Sequence, residues 1–338
     1  MYFTLTNFDR GGCIMKTLNL KNSILQFLHR RGKTLLKVLA VVLLIYLFYW
    51  EVHCMIFRQD NAVCINIQGR LANAMFQEAF VYSFAEERDK SEVIFNSENP
   101  LVDIFTLEGL NWRYDSSYSC SCYSKFEDKW DCAFDDVFKN LQLPVQVYGY
   151  FQSWKYLKGH EEGIRRMFTF QPHIRNKAKD QLHSIVESFK DKGVTDKTVL
   201  VGIHIRRGDY VKNKHFVEFG YNVAPEVYIH NAIKFYQVRY PDVLFVVCGN
   251  DIVWAREVMK SYERVHFVEG NSPSQDMALL TRTHHTIMTV GTFGWWIGWL
   301  TNGTTVYYKN TYRDGTDFMA QFHGSTREHF LPNWIGLE

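Results

Sequence analysis

The chain has almost no net charge to offer a polyanion: 38 Lys and Arg stand against 36 Asp and Glu, a formal balance of +2 over 338 residues. Nothing in that balance points to nucleic acid, so any anion site has to be local. Several catalytic signatures are missing too. There is no G-x-x-x-x-G-K-S/T loop, which weakens kinase, ATPase and P-loop sulfotransferase readings. No H-E-x-x-H zinc helix and no G-x-S-x-G nucleophile turn occurs. No two aspartates are separated by a single residue, so a D-x-D clamp for a metal-bound diphosphate is absent as well. Arginine would then have to carry the charge of any diphosphate.

What is present is apolar and aromatic, 46% hydrophobic with 16% Phe, Trp and Tyr. Such a chain buries a substantial core, and at roughly 100–200 residues per domain it holds about two domains. Charge is unevenly spread. From Met1 to Lys37 there are seven Lys or Arg and one acid, Asp9. An uncharged run, Val38–Trp50, follows, and apolar character resumes after Glu51, Val52 and His53 through Phe57. A membrane span needs about 20 mostly apolar residues, and residues 38–57 meet that length as a transmembrane anchor. A signal peptide fits less well, because no A-x-A-like cleavage site follows Trp50. A buried core helix has no partner close in sequence. The basic residues place 1–37 as a cytoplasmic tail and the remainder in the lumen.

On that topology Cys13 is cytoplasmic and Cys54 lies in the span. Cys64, Cys120, Cys122, Cys132 and Cys248 then meet an oxidising compartment, where disulfides persist and an odd number leaves at least one thiol free. Cys120-Ser121-Cys122 with Cys132 approaches metal spacing, but structural zinc takes four ligands in recognised pairs, which favours a disulfide. The pairing stays open. One glycosylation sequon, Asn302-Gly303-Thr304, abuts an expected helix end, and Met15 is a second possible start.

After the anchor, Val63–Ile67 has a short strand pattern, Gln68–Asn73 a glycine turn, and Ala74–Ala85 a helical one. Gly69, Arg70 and Asn73 sit where helix amides receive an anion or a sugar hydroxyl. Asn73 would equally serve as a helix cap. Residues 98–196 are less informative, with a helical pattern from Pro172 towards Phe189 and a polar junction at 191–196. The expected division is an α/β domain at 60–196 and a second at 197–338.

The second half alternates strand and helix with short joints, the pattern of a parallel α/β sheet. Strands are expected at 198–205, 243–248, 265–268, 286–290 and 304–308, with helices at 225–239, 252–262, 274–282 and from Gly294 to Leu300. Ligands of such sheets bind beyond the carboxyl ends of the strands. Those ends carry His204, Arg206, Arg207 and Asp209; Gly249, Asn250 and Asp251; Ser274 and Asp276; and Thr292, Phe293, Gly294 and Trp295. Adjacent guanidiniums match a phosphate, although a surface arginine pair beside a structural aspartate would satisfy the same segment. Trp295, Trp296 and Trp299 fit a core better than a sugar platform.

His204-Ile205-Arg206-Arg207-Gly208-Asp209 resembles the H-x-R-R-x-D motif of the α1,2-fucosyltransferases, glycosyltransferase family 11. Val247–Asp251 with Trp254, Ser272-Pro273 with Asp276, Thr286–Trp296, Leu331–Gly336 and Gly69–Met75 look like further motifs of that family. The resemblance implies a type II Golgi membrane enzyme of α/β class, with two GT-B-like, Rossmann-like domains facing a cleft behind one N-terminal transmembrane helix. It implies transfer of L-fucose from GDP-fucose to the 2-hydroxyl of a terminal β-galactose on a glycan acceptor, with inversion and no required metal. Carried onto matching positions, Arg206 neutralises the β-phosphate as GDP leaves, and His204 and Arg207 shape that pocket. Asp276 reads guanine, while Thr292 and Gly294 present polar groups to the diphosphate. The first motif departs from the family, with Ala72-Asn73-Ala74 where Gly-Asn-Gln is usual. That puts acceptor identity in question. Inversion needs a base, for which Asp209 is the candidate and Asn73 the orienter. A catalytically silent, membrane-tethered glycan- or nucleotide-binding protein of the same fold, or a transferase using another sugar nucleotide, are the competing readings.

Overall fold

The computed structural model describes residues 34–115 and 118–338. The basic tail, Cys13 and Met15 lie outside the described residues up to position 33. In chain order the elements are α1 (Thr34–Phe57), β1 (Ala62–Ile65), α2 (Leu71–Glu86), β2 (Glu92–Phe95), β3 (Trp112–Tyr114), β4 (Ser124–Glu127) and β5 (Val145–Tyr148). Helices α3 (Glu161–Met167) and α4 (Pro172–Glu187) lead to β6 (Val199–Ile205), α5 (Gly208–Lys212), α6 (Lys214–Phe219) and α7 (Glu226–Arg239). The remainder is β7 (Val243–Gly249), α8 (Ile252–Val258), β8 (Val265–Phe267), α9 (Pro273–Leu280), β9 (His285–Met288), α10 (Thr292–Thr301), β10 (Thr305–Tyr308), α11 (Asp317–Ala320) and β11 (Ile335–Leu337).

Six strands form a parallel sheet in the order β11-β10-β9-β6-β7-β8. Numbered from β6, that is the Rossmann order with its reversal between β6 and β9, where a crevice opens at the strand ends. β6 lies innermost because its run of aliphatic residues is buried from Leu200 to Ile205, as a strand covered on both faces requires. The second sheet, β3-β2-β1-β5-β4, is also parallel. Its reversal falls between β1 and β5, so the Gly69 turn leaves the corresponding point of the N-terminal half.

Two details refine the expected organisation. Helix α4 precedes the junction expected at 191–196, yet it packs on α9 and so lies against the C-terminal sheet. The aromatic cluster of α10 is core: Trp295 and Trp296 are fully buried, and Phe76 of α2 lies 4.6 and 4.9 Å from their ring centroids. The two halves therefore share one continuous apolar cluster.

Helix α1 is long and apolar enough to cross a membrane over Lys37–Ile56, with a mean hydropathy of 2.0 and none of that window buried. Cys54, inside that window, forms a disulfide with Cys122, and Cys64 pairs with Cys120. The Cys54–Cys122 bond ties the last turn of α1 to the globular part. Cys132 and Cys248 remain reduced and buried.

Glu78 is fully buried in α2. Burial raises its carboxyl to about 8, against a smaller lowering by Asn99. The folded chain thus holds a proton that the unfolded chain releases, and stability falls as pH rises from about 4.5 to about 8. Glu78→Gln should therefore melt above the parent at about pH 8, by on the order of a few kcal/mol, and level with it near pH 4. Equal melting of the two proteins at both pH values would contradict a protonated Glu78.

Candidate active site

The loop after β6 is gripped from both neighbouring strands. Arg206 N donates to Thr289 Oγ1 beyond β9 at 2.8 Å. On the β7 side, Arg207 N and Gly208 N both donate to Asn250 Oδ1, at 2.8 and 3.1 Å. A Cβ on Gly208 would lie 2.8 Å from the Asn250 carbonyl oxygen, so only glycine lets the loop approach that closely. The result is a rigid turn at the switch point, with two arginine side chains leaving it.

Arg206 points inward. Its side chain is 19% exposed, its Nη2 lies 2.5 Å from Asp209 Oδ2, and its guanidinium sits 4.8 Å over the Tyr210 ring. Its Nε is buried and has no hydrogen-bond partner among the described residues. That donor is left unpaired. Arg207 instead lies 4.7 Å over Trp254, with Nε 3.7 Å from Asp251 Oδ2. Asp251 also caps α8 by accepting from Trp254 N at 3.3 Å.

Asp209 receives Arg206 and Arg70 at Oδ2 and Asn250 Nδ2 at Oδ1. Burial pushes its carboxyl up, but Arg206 with the Asn250 and Arg70 contacts outweighs burial and holds it below the usual carboxylate range. Its geometry is that of a counter-ion orienting Arg206. His204 is buried, and burial followed by the Arg206 charge lowers its imidazole to about 3. It stays neutral, packed 4.8 Å from the Phe293 ring. A Cβ at Gly294 would come 3.1 Å from His204 Nδ1 and 2.8 Å from Met288 Cβ, so the helix start needs glycine there.

Gly291, with φ +85°, turns the chain from β9 into α10, whose first amides have no partner inside the helix. The Thr292 hydroxyl donates to Asn73 Oδ1 at 2.7 Å. Asn73 is consequently not a helix cap: Arg70 occupies the cap position of α2, and Asn73 reaches across to the other half. With the Arg70–Asp209 contact of 3.2 Å, the turn after β1 meets the turns after β6 and β9. Gly69 takes φ +83°. The Trp295 side chain is in the core, its Nε1 donating to His329 O at 2.8 Å.

Ser272 caps α9 and lies 3.0 Å from the Ser274 hydroxyl. Asp276 sits in the first turn of that helix, beside Cys248 and Asn271. Burial raises its carboxyl, and its Oδ1 is buried without a partner among the described residues. Gly249 lets β7 end against Ile205, whose carbonyl oxygen a Cβ would strike.

Three positions went unread in the sequence. Gln77 clamps the Gly69 turn, its Nε2 donating to Gln68 O at 2.7 Å and Asn73 O at 3.0 Å while its Oε1 receives Gln68 N. Gln77 beside Glu78, polar residues in the middle of a largely apolar helix, was the available signal. Thr289, inside a quoted motif, and Tyr210, one residue beyond another, hold Arg206 from two sides but had no role assigned.

Over residues 33–338 the chain matches the family model described as glycosyl transferase family 11. Galactoside alpha-(1,2)-fucosyltransferase 2 of Hylobates lar is 33% identical over 282 residues, 81% of this chain and 78% of that protein. The chain belongs to glycosyl transferase family 11. The rabbit (Oryctolagus cuniculus) protein of the same name is 31% identical over 280 residues, covering 81% of this chain and 76% of the relative. Among solved structures the family 11 chain is similar to NodZ alpha-1,6-fucosyltransferase soaked with GDP-fucose, at 16% identity and TM-score 0.47, covering 74% of this chain and 96% of that one. POFUT1 in complex with GDP-fucose is similar at 12% identity and TM-score 0.48, covering 74% and 98%.

Proposed function

We propose that this family 11 glycosyltransferase moves L-fucose from GDP-fucose to the 2-hydroxyl of a terminal β-galactose, with inversion. The observation that carries this is Arg206, held inward at the switch point with Nε unpaired and Asp209 fixing its plane. As the bond between fucose and the β-phosphate breaks, negative charge grows on the phosphate oxygen. Arg206 and the amides at the start of α10 neutralise it in a site largely closed to water, where preorganised donors act most strongly. The guanidinium supplies the positive charge that a metal provides in other transferases. Asp276, beside the end of β7, is the group assigned to the guanine, whose N–H donors its unpartnered oxygen would accept. Arg70 and Asn73 are assigned to the galactose side. The sequences of the relatives named as galactoside α-(1,2)-fucosyltransferases support the sugar and the linkage.

Localisation belongs to the same proposal: a type II Golgi membrane protein with α1 as anchor and both disulfides in the lumen. The cysteine pairs support an oxidising compartment. Because Cys54 is bonded to Cys122, the full chain in detergent is the proper sample, not a fragment beginning at residue 60. Incubated with a β-galactoside and, in turn, GDP-fucose, GDP-mannose and UDP-galactose, it should yield product from GDP-fucose, undiminished by EDTA. Product from another donor alone would overturn the donor assignment. Activity lost to EDTA and restored by a divalent cation would overturn the arginine-only account.

A further inference from the structure

The only Asn-x-Ser/Thr motif in the chain, Asn302-Gly303-Thr304, takes no part in the transfer proposed above. We infer that Asn302 carries an N-linked oligosaccharide on Nδ2, at the edge of the C-terminal sheet opposite the arginine loop. This rests on the lumenal placement proposed above.

The motif occupies the turn between α10 and β10. α10 ends at Thr301, Asn302 follows in the left-handed region at φ +58°, and β10 begins at Thr305. Asparagine tolerates that conformation better than most residues, so a helix stop would by itself account for its presence. Three observations go beyond a helix stop. Asn302 is exposed. Its Oδ1 accepts Arg165 Nη2 at 3.1 Å, which sets the amide with its oxygen toward α3. Its Nδ2, the atom a glycan would take, has no hydrogen bond among the described residues.

Substitution at Nδ2 leaves the local contacts intact. The Arg165 guanidinium also donates to Leu300 O at 3.1 Å and to Trp299 O at 2.7 Å, so every acceptor it uses here is an oxygen. Gly303 closes the turn, since a Cβ there would lie 1.9 Å from His284 O. Thr304 N donates to His285 Nδ1 at 3.1 Å, while the Thr304 hydroxyl has no hydrogen bond among the described residues.

The turn lies at the amino end of β10, where Thr305 pairs with Thr286 near the start of β9. Gly291 and Arg206 lie beyond the carboxyl ends of β9 and β6, at the other edge of the same parallel sheet. The four residues of β9 separate the two edges by about 13 Å at the usual rise of a strand. An oligosaccharide on Asn302 therefore starts at the edge away from the crevice.

The modification balances with one co-reactant, an oligosaccharide carried on a polyprenyl diphosphate. Nδ2 bonds to the anomeric carbon of its first sugar, and the bond from that carbon to the diphosphate breaks with its electron pair on the phosphate oxygen. The nitrogen gives up one of its two protons to the transferring enzyme.

The full chain, made in a eukaryotic secretory cell and extracted in detergent, tests this by digestion with peptide N-glycosidase F. The parent should gain mobility on a denaturing gel, and mass spectrometry should then find aspartate at position 302. Thr304→Ser keeps the motif and should show the same shift, whereas Thr304→Ala should lose it. A parent whose mobility does not change, or a Thr304→Ala protein that still shifts, overturns the assignment. Sealed microsomes separate that failure from a failure of the topology. A globular part protected from added protease but without the shift overturns the glycan alone; one that is digested overturns the lumenal placement as well.

Discussion

Arg206→Ala is expected to lower kcat about a hundred- to a thousandfold, the usual effect of removing a charge-stabilising donor from an enclosed site. The loss should fall on the chemical step and not on the fold. Asp209 keeps Arg70 and Asn250 as partners, so removal of Arg206 does not strand a buried charge. The loop itself is held by main-chain donors of residues 206–208, which alanine retains at its position. Arg206→Lys should recover little, since an ammonium lacks the planar fork that bonds Asp209 and a phosphate together. Steady-state kinetics beside a thermal melt would check the result. Turnover within a factor of a few of the parent, with an unchanged melt, would remove Arg206 from the chemistry.

Trp295→Ala should destabilise the protein by about 3–5 kcal/mol, as deletion of a fully buried large aromatic does. The ring touches Phe76, Trp296 and Trp334, and its Nε1 bonds His329 O, so the variant loses contacts in both halves and leaves a buried carbonyl without its donor. Denaturant unfolding would measure this. The molecules still folded should keep the parental KM for acceptor. A variant with parental stability but a much higher acceptor KM would instead return Trp295 to the role of a sugar platform.

The C-terminal half was legible because its strands are buried on both faces. Such strands appear as continuous apolar runs, and the polar residues at their ends mark the ligand edge. β6, β7 and α7 begin and end within two residues of their expected bounds. The N-terminal half was not legible beyond β1, α2 and α4. β3 and β4 are short edge strands with largely open side chains, so they show neither alternation nor a run. Asp209 was singled out for its motif position, but its partners decide its basicity, and those come from three separate segments. Cys54 was placed by the hydropathy of its neighbours, which carries no information about Cys122.

By itself, the sequence determined the alternation of strand and helix, the two arginines at the end of an inner strand and the apolar segment ahead of them. Each follows from interactions within a few residues: side-chain periodicity, helix starts and span length. Tertiary structure alone decided that Asp209 bonds Arg70, that Asn73 bonds Thr292 and that Cys54 is tied to Cys122. These contacts join positions 139, 219 and 68 residues apart. They exist only because the order of strands in each sheet, and the packing of one sheet against the other, bring distant loops to one place, and no local pattern specifies that order.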